Sequence, residues 1–395
     1  MSEPQPPDQP LANYQYEIYL RGMAGERPEL PLHPEGLRRQ AKRILNLGAY
    51  GYVAGGAGSE ATVRANREAF RSWQIVPRML RNIATRSLGT ELFGTTMPAP
   101  LALAPIGVQS IIHRDGELAT ARAAAATGVP YIHSTAASHS LEEAAEAMGD
   151  APRWYQLYWP KDPELARSFL RRAEAAKYGA VVVTLDTWLL AWRPRDLQLA
   201  YLPFLHGEGL ANYLSDPVFR AGLERPPEED MQAAVGRWLA TYSDPTVSWE
   251  NLALLRESTR LPIVLKGILH PEDARLAVEH GMDGIIVSNH GGRQVDGAVA
   301  TLDALPGVVE AVPDDFPVLL DSGIRSAADA FKALALGARG VLLGRPYAWA
   351  LACGGEAGVS TLLRSFLAEL DLTLALSGHT TFAEVGPDAL RRAER

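Results

Sequence analysis

From residue 100 onward, short runs of apolar residues bounded by turn residues alternate with stretches of helical spacing that are rich in Ala, Glu and Arg. Such an alternation is typical of βα units around a parallel sheet that is buried on both faces. Eight runs occur, at 101–106, 129–135, 153–159, 180–186, 262–268, 284–290, 317–323 and 340–345. They predict an α/β fold of the TIM, or (β/α)8, barrel type. An open doubly wound sheet is disfavoured because no glycine fingerprint follows an early strand.

The segments outside this alternation predict three further features. Residues 1–12 are rich in Pro, Gln and Asp and predict a flexible tail, which leaves 13–395 as a single barrel domain. Helical spacing over 36–47, before a glycine-rich stretch, predicts an N-terminal helical cap, with Ser59 as the N-cap of the next helix. The interval 187–248, after the fourth run, is far longer than an ordinary βα loop of ~2–6 residues, so we expect it to fold as a lid.

Composition narrows the class of protein. Apolar residues make up 47% and charged residues 21%, as in compact soluble proteins, and the net charge of -8 gives no basic surface for nucleic acid or anionic membrane. The chain shows neither a signal peptide nor an 18-residue apolar run, so we expect a cytoplasmic protein without a membrane span. A single cysteine, Cys353, forms no intrachain disulfide, and His133 and His139 lack partners at metal-ligand spacing, so no metal site is expected.

Polar residues end many of the apolar runs. Those residues are Gln156 and Tyr158 in the third run, Thr184 and Asp186 in the fourth, Lys266 in the fifth, and Ser288, Asn289 and His290 in the sixth. Any one of them alone is more simply read as a satisfied polar group at a strand edge. Because the carboxyl ends of barrel strands meet on one face, their convergence predicts an active site there.

The segment 288–294 (SNHGGRQ) is the most specific motif. A histidine at a strand end can abstract a proton near neutral pH, which makes His290 a candidate base, and Arg293 offers a fork for a carboxylate. Asp186 could bond the far nitrogen of His290, although a structural cap is its alternative role.

Two further groups extend the predicted site. Residues 321–325 (DSGIR) and 344–346 (GRP) place backbone amides and two arginines after the last two strands, where barrels commonly bind phosphate. A buried Lys266 requires an anion or loss of its proton, so it could stabilise a reduced cofactor or act as a Schiff-base nucleophile.

These motifs give the chain a clear resemblance to the FMN-dependent 2-hydroxy-acid oxidising family, which includes glycolate oxidase and lactate oxidase. The likeness covers nearly the whole chain after the tail. Besides SNHGGRQ, it is carried by YVAGG (52–56), AP (104–105), YQLY (155–158), TLDT (184–187), LKG (265–267), DSGIR and GRP.

The resemblance implies FMN as cofactor and a small 2-hydroxy acid and O2 as reactants, with a homotetramer or octamer as the assembly. The residues that it implies for substrate and catalysis are His290 with Asp186, the carboxylate-binding Arg193 and Arg293, Tyr52, Tyr158 and Lys266. The residues that it implies for FMN are Pro105, Ile106, Gly107, Ser134, Gln156, Thr184, Lys266, Ser288, Asp321, Gly323, Arg325, Gly344 and Arg345.

Within the family, the sequence particularly resembles the lactate 2-monooxygenases, which convert L-lactate to acetate, CO2 and water. That likeness is carried by GMAG (22–25), WRPRD (192–196), PFL (203–205), NY (212–213), DPVF (216–219), Gly107 and the extended lid. Ala136 and Leu190 depart from it, since both positions would carry larger side chains, and both changes could enlarge the pocket beyond lactate.

The sequence therefore predicts FMN-dependent oxidation of a short (S)-2-hydroxy acid, with lactate 2-monooxygenase first and an oxidase that releases keto acid and peroxide second. A Schiff-base lyase that uses Lys266, and a non-catalytic protein that binds a phosphorylated ligand, remain as alternatives from other classes.

Overall fold

The computed structural model describes residues 11–393. Four helices and three short strands precede the barrel: α1 (Tyr14–Met23), α2 (Pro34–Ile44), α3 (Leu47–Ala54), α4 (Ala61–Arg71), β1 (Trp73–Ile75), and the hairpin β2 (Thr90–Leu92) and β3 (Thr95–Met97). Residues 1–10 of the expected tail lie outside the described residues. Ala12 belongs to a 3-10 helix, Leu11–Asn13, and its backbone N–H donates to buried Asp371 at 2.8 Å, so folded structure begins before residue 13.

A closed barrel of eight parallel strands follows, which confirms the predicted fold class. Its strands are β4 (Leu101–Leu103), β5 (Tyr131–Ser134), β6 (Arg153–Tyr158), β7 (Val181–Thr184), β8 (Ile263–Ile268), β9 (Gly284–Val287), β10 (Val318–Leu320) and β11 (Gly340–Leu343). Each strand lies inside one of the eight apolar runs, and β11 pairs with β4 to close the barrel. The runs therefore identify the barrel strands because both faces of each strand are buried.

Helices connect the strands and cover the barrel. In chain order they are α5 (Gly116–Thr127), α6 (Leu141–Met148), α7 (Pro163–Ala175), α8 (Pro194–Gln198), α9 (Ala211–Leu214), α10 (Pro217–Ala221), α11 (Met231–Thr241), α12 (Leu252–Ser258), α13 (Pro271–Glu279), α14 (Thr301–Val309), α15 (Ala327–Ala335) and α16 (Arg345–Leu376). Helix α16 is broken at Gly354 and Gly355, and the chain ends in β12 (Leu390–Arg392), which pairs with β1. The interval 187–248 contains helices α8 to α11, so it is a helical excursion between β7 and β8.

The β2–β3 hairpin closes the amino-terminal end of the barrel. Phe93 packs edge-on against Trp154 with ring centroids 5.4 Å apart. A side chain on Gly284 or Gly340, the first residues of β9 and β11, would collide with Phe93 and Leu92. Because apolar side chains fill this end, the carboxyl ends of the strands are left to form a ligand site.

His133 on β5 occupies an apolar layer outside the barrel. It is fully buried between Tyr131 and Tyr178, with ring centroids 5.9 and 6.4 Å away, and neither ring nitrogen has a hydrogen-bond partner among residues 11–393. Burial lowers the pKa of His133 to about 4. At a pH between about 4 and 6.5, the folded protein therefore keeps this ring neutral, whereas the unfolded chain would protonate it.

We expect this histidine to make the protein sensitive to acid. Because the folded-state pKa lies below the unfolded value of about 6.5, the unfolded chain binds the extra proton between pH 6.5 and 4, and stability falls as pH falls through that window. His133→Leu should reduce this pH dependence by up to about 3 kcal/mol, measured by urea unfolding at pH 7 and pH 4. His206→Gln, at an exposed position, is the control. An unchanged pH dependence in His133→Leu would contradict the expectation.

Candidate active site

A pocket with an empty volume of about 1400 Å³, including its open mouth, lies at the carboxyl end of the strands. The sequence-predicted residues that line it are Tyr52, Pro105, Ile106, Gly107, Tyr158, Arg193, Lys266, His290, Arg293, Asp321, Gly323, Arg325, Gly344 and Arg345. Strand ends that are far apart in sequence thus contribute to one cavity. Asp186, Ser134, Gln156, Thr184 and Ser288 do not line the cavity itself; the last four are buried at the strand ends around it.

His290 and Asp186 form a hydrogen-bonded pair at the base of the pocket. The distance from His290 Nδ1 to Asp186 Oδ1 is 2.7 Å, and Thr187 Oγ1 also donates to Asp186 at 2.9 Å. His290 leaves β9 in a left-handed turn with φ of 57°, which the positive φ angles of Gly291 and Gly292 continue. The turn brings the imidazole to the pocket, where Nδ1 is held by the carboxylate and Nε2 is left for another partner.

Electrostatics favour a neutral imidazole beside an ionised carboxylate. Desolvation lowers the pKa of His290, with Asp186 opposing that shift and Lys266 adding to it. Burial works to raise the pKa of Asp186, but the attraction of His290 and Lys266 outweighs it and holds that pKa well below its usual range. A neutral histidine that is oriented by a carboxylate is the arrangement of a general base.

Lys266 lies at the centre of a buried charged group. Its Nζ is 3.4 Å from Asp321 Oδ2 and 4.0 Å from Asp186 Oδ2, and it donates to Ser288 Oγ at 3.0 Å. Burial lowers the pKa of Lys266, but the attraction of Asp321 and Asp186 outweighs it and the pKa is raised. A Schiff-base nucleophile must lose its proton, so this environment favours a permanent cation and disfavours the lyase chemistry.

Two arginines lie next to each other in the pocket lining. Arg193 donates from Nε to the Arg293 carbonyl at 3.0 Å and from a terminal nitrogen to Gln294 Oε1 at 2.6 Å. Arg293 donates to the carbonyls of Tyr52 and Gly55, and its guanidinium lies 4.9 Å from the centre of the Tyr52 ring. Neither arginine forms an ion pair with a carboxylate within residues 11–393. Desolvation, then repulsion by Arg193, lowers the pKa of Arg293 to about 10, so the pair is a site for an anion.

A second cationic region lies beyond the ends of β10 and β11. Arg345, the first residue of α16, donates to the carbonyls of Val53, Gly55 and Gly291 at 2.8 to 3.0 Å. The Arg325 guanidinium lies 5.2 Å from the centre of the Trp349 ring, and desolvation followed by repulsion from Arg67 lowers its pKa to about 9. Both guanidinium groups lack a carboxylate partner in the part of the chain that the structure describes. Two such cations at a helix N-terminus match the requirements of a phosphate.

The ends of β6 and β7 carry buried polar groups without partners. Ser134 Oγ donates to Gln156 Oε1 at 2.8 Å, but Gln156 Nε2 and Thr184 Oγ1 are buried without a hydrogen-bond partner in residues 11–393. A buried polar group without a partner costs about 1–3 kcal/mol, so a ligand that supplied the missing partners would recover that free energy on binding. A ligand over β6 and β7 with several acceptors and donors would satisfy both.

Sequence reasoning missed several residues that the fold adds to the site. Thr187, Ser322 and Ile324 adjoin the predicted residues, and Gln294 links Arg193 to the Asp186 carbonyl, where its Nε2 donates at 2.7 Å. The lid contributes Leu202, Phe204, Tyr213, Trp238, Leu239 and Tyr242. Several of these residues lie inside motifs to which no role was assigned for that position: Thr187, Ser322, Ile324, Gln294, Phe204 and Tyr213. No motif marks Leu202, Trp238, Leu239 and Tyr242, because their only common property is an apolar or aromatic side chain in a segment of irregular spacing.

The fold and the site together define a (β/α)8-barrel enzyme that holds a neutral histidine base between an anion site and a phosphate site. Residues 41–392 match the family described as FMN-dependent dehydrogenase. The chain is 45% identical over 386 residues to an FMN-dependent alpha-hydroxy acid dehydrogenase of Penicillium citrinum, covering 97% of this chain and 96% of that one. It is 43% identical over 365 residues to an L-lactate oxidase of Lysinibacillus sphaericus, covering 92% and 94%. The chain therefore belongs to the FMN-dependent alpha-hydroxy acid dehydrogenase and oxidase family.

Solved structures agree with this assignment. A crystal structure of mandelate oxidase with (S)-4-hydroxymandelic acid is 38% identical, with a TM-score of 0.82, and the match covers 92% of this chain and 99% of that one. The family dependence on FMN fits the site, because Gln156 Nε2 and Thr184 Oγ1 are buried at strand ends without partners within residues 11–393 and the Arg325 and Arg345 guanidinium groups have no carboxylate partner there. Within residues 11–393, no three His, Cys, Asp or Glu side chains are grouped to hold a metal, and no helix is long and apolar enough to span a membrane.

Proposed function

We propose that this protein oxidises (S)-2-hydroxy acids with O2, and that it retains the keto acid so that L-lactate gives acetate, CO2 and water. The observation that carries the proposal is the 2.7 Å hydrogen bond between His290 and Asp186 beside Arg193 and Arg293, which have no carboxylate partner within residues 11–393. Relatives named L-lactate oxidase, and solved neighbours named mandelate oxidase, support a 2-hydroxy acid as substrate.

Each group of the chain has a task in this reaction. Arg193 and Arg293 bind the substrate carboxylate, and this places the α-hydroxyl near His290. His290 Nε2 takes the hydroxyl proton, and Asp186 stabilises the imidazolium that forms. FMN, when bound, accepts the hydride equivalent from the α-carbon and later reduces O2. Burial raises the pKa of Tyr158, so its phenol stays protonated and can donate to the substrate.

The choice of products depends on how long the keto acid stays bound. The lid segment 187–248 supplies aromatic side chains to the pocket wall. Gly107, after β4, lies directly against the loop after β5 that contains Ala136. A Cβ on Gly107 would meet the Ala136 carbonyl oxygen at 2.2 Å, so the two loops are as close as their backbones allow. Tight enclosure supports retention of the product, which is the condition for decarboxylation by peroxide before release.

Product analysis tests the proposal. Purified protein in air is given L-lactate, and acetate, CO2, pyruvate and peroxide are quantified together in the presence and absence of catalase. We expect acetate and CO2 in near-equal amounts with little peroxide. Stoichiometric pyruvate and peroxide would make the protein an oxidase, while the absence of any oxidation of L-lactate or of a larger (S)-2-hydroxy acid would refute the proposal as a whole.

Gly107→Ala should shift the balance of products toward peroxide and pyruvate. The new methyl group forces the Gly107 and Ala136 loops apart, because no Cβ is tolerated 2.2 Å from a carbonyl oxygen. A loss of about 1.4 kcal/mol in product retention changes the partition about tenfold. The ratio of peroxide to acetate is the readout, and Gly236→Ala, on the exposed face of α11 with no atom within 4 Å of the new methyl, is the control. An unchanged ratio of peroxide to acetate in Gly107→Ala would show that the spacing of these two loops does not determine the products.

A further inference from the structure

The loop that follows β4 turns through a strained residue. This β4 loop (residues 104–112) contains Val108, which is fully buried with φ of 54° and ψ of 42°. A β-branched residue rarely adopts that left-handed conformation, which persists only where surrounding contacts hold it. The Val108 amide donates to the Ala136 carbonyl at 2.9 Å. The turn therefore holds residues 105–107, which line the pocket, against the loop after β5 (the β5 loop, residues 135–140).

The contacts that hold this turn meet at Glu117, in the first turn of α5. Its side chain is fully buried, and Oε1 accepts from the backbone amides of Gln109 at 2.9 Å and Ser138 at 3.0 Å. Oε2 lies 3.1 Å from His139 Nδ1. The amino-terminal end of a helix also stabilises a carboxylate. One carboxylate thus joins the residue after Val108 to the β5 loop.

The Gln109 side chain extends the same constraint to the pocket lining. It is fully buried; its Nε2 donates to the Ile106 carbonyl at 2.9 Å and to the Tyr131 hydroxyl at 3.0 Å, and its Oε1 accepts from Thr120 at 2.6 Å. Ile106 lines the pocket. Because Glu117 fixes the backbone of Gln109 and Gln109 fixes Ile106, a change at Glu117 reaches the pocket wall.

The lid packs on the same junction. A Cβ on Gly209, whose φ is 76°, would meet Val108 Cγ2 at 2.6 Å and the Ala136 carbonyl oxygen at 3.1 Å. The Ala211 amide donates to the Ala137 carbonyl at 3.0 Å. The β4 loop, the β5 loop and the lid thus share one junction, and Glu117 ties the first two together.

We propose that Glu117 is a positioning residue for the cofactor: by holding the amides of Gln109 and Ser138, it sets where the β4 loop meets bound FMN. Glu117 itself does not line the pocket, so it acts through the two loops. The inference rests on the proposed function, because it takes FMN to lie against residues 105–107. The geometry of the carboxylate does the positioning, and its charge does not, because the two amides share one oxygen atom.

Flavin fluorescence titration of the protein after removal of its flavin tests the proposal. Glu117→Leu removes both acceptor oxygens, and we expect it to weaken FMN binding about tenfold. Asp371→Leu is the matched control, since Asp371 is a buried carboxylate that accepts from the Ala12 amide at 2.8 Å and lies outside the pocket lining. Both variants should unfold at a lower temperature than the wild type, but only Glu117→Leu should lose affinity for FMN. Wild-type affinity in a folded Glu117→Leu protein, or an equal loss in both variants, would overturn the inference.

Two conservative variants separate the geometry of Glu117 from its charge. Glu117→Gln keeps an oxygen that can accept from both amides, and its new amide can donate to His139, so its FMN affinity should stay within about twofold of the wild type. Glu117→Asp keeps the charge but is one methylene shorter and cannot reach both amides, so its affinity should fall about fivefold. A Glu117→Gln affinity no better than that of Glu117→Asp would contradict the proposal, and this comparison decides the matter if Glu117→Leu does not fold. A wild-type protein that binds no FMN would instead remove the proposed function, and the inference with it.

Discussion

Replacing His290 with glutamine should leave FMN bound and slow its reduction by substrate by about 10² to 10⁴-fold. Glutamine can still bond Asp186 but cannot accept the hydroxyl proton. The predicted cofactor contacts of the barrel floor and the arginines beyond β10 and β11 are untouched, so the flavin spectrum should persist. The measurement is the rate of bleaching after anaerobic mixing in a stopped-flow instrument.

The pH dependence of the same rate supplies the control. Because the base must be unprotonated, the wild-type rate should rise with pH through the pKa of His290, which desolvation keeps below its ordinary value, and should be level above it. The His290→Gln rate should lack this rise, whereas exposed His206→Gln should retain it. A His290→Gln rate within tenfold of wild type would assign proton removal to another group.

Arg325→Met should weaken FMN binding by about 10²-fold or more. The guanidinium has the Ile324 carbonyl at 2.8 Å and the Trp349 ring as its partners, so its charge is available to a phosphate in a desolvated site. Loss of one buried partner of such a charge pair usually costs about 2–5 kcal/mol. Methionine keeps an apolar stem at this position and removes the guanidinium with its charge.

Flavin fluorescence titration of the stripped protein measures this loss directly. Arg114→Met, whose side chain is 89% exposed, should bind FMN as the wild type does. Desolvation and repulsion by Arg67 lower the pKa of Arg325 to about 9. A bound phosphate should raise that pKa and so keep the guanidinium protonated. An Arg325→Met protein that is purified with full flavin would place the phosphate elsewhere.

The barrel could be predicted from sequence because its signal is local. Each strand is a short apolar run whose two faces are both buried, and eight of these in succession leave few alternative folds.

The N-cap of α4 could not be predicted from neighbouring residues. Ser59 is not the N-cap; Glu60 takes that position in a left-handed conformation, and the carboxylate of Asp296 accepts from the amides of Ala61 and Thr62. A cap supplied from 235 residues away leaves no local pattern.

The polar floor of the site was predicted for the same reason as the strands, since residues that end parallel strands must meet. His290 is hydrogen-bonded to Asp186 at 2.7 Å, and Lys266 Nζ lies 4.0 Å from the other oxygen of that carboxylate, as that rule requires. Tyr52 and Arg193 came from family resemblance alone, because α3 and the lid reach the site by tertiary packing. Asn212 and Asp216 lie in stretches that carry the resemblance to lactate 2-monooxygenases, but the sequence alone does not show which carbonyls and amides their side chains bond.

The central claim is that the protein is an FMN enzyme that draws reducing equivalents from a 2-hydroxy acid, and anaerobic titration of its visible spectrum tests this most directly. The protein should be yellow as purified or after addition of FMN. Its absorbance should bleach completely on addition of (S)-2-hydroxyhexanoate or L-lactate and return on admission of air. A protein that binds no FMN, or a bound flavin that no (S)-2-hydroxy acid bleaches, would contradict the account.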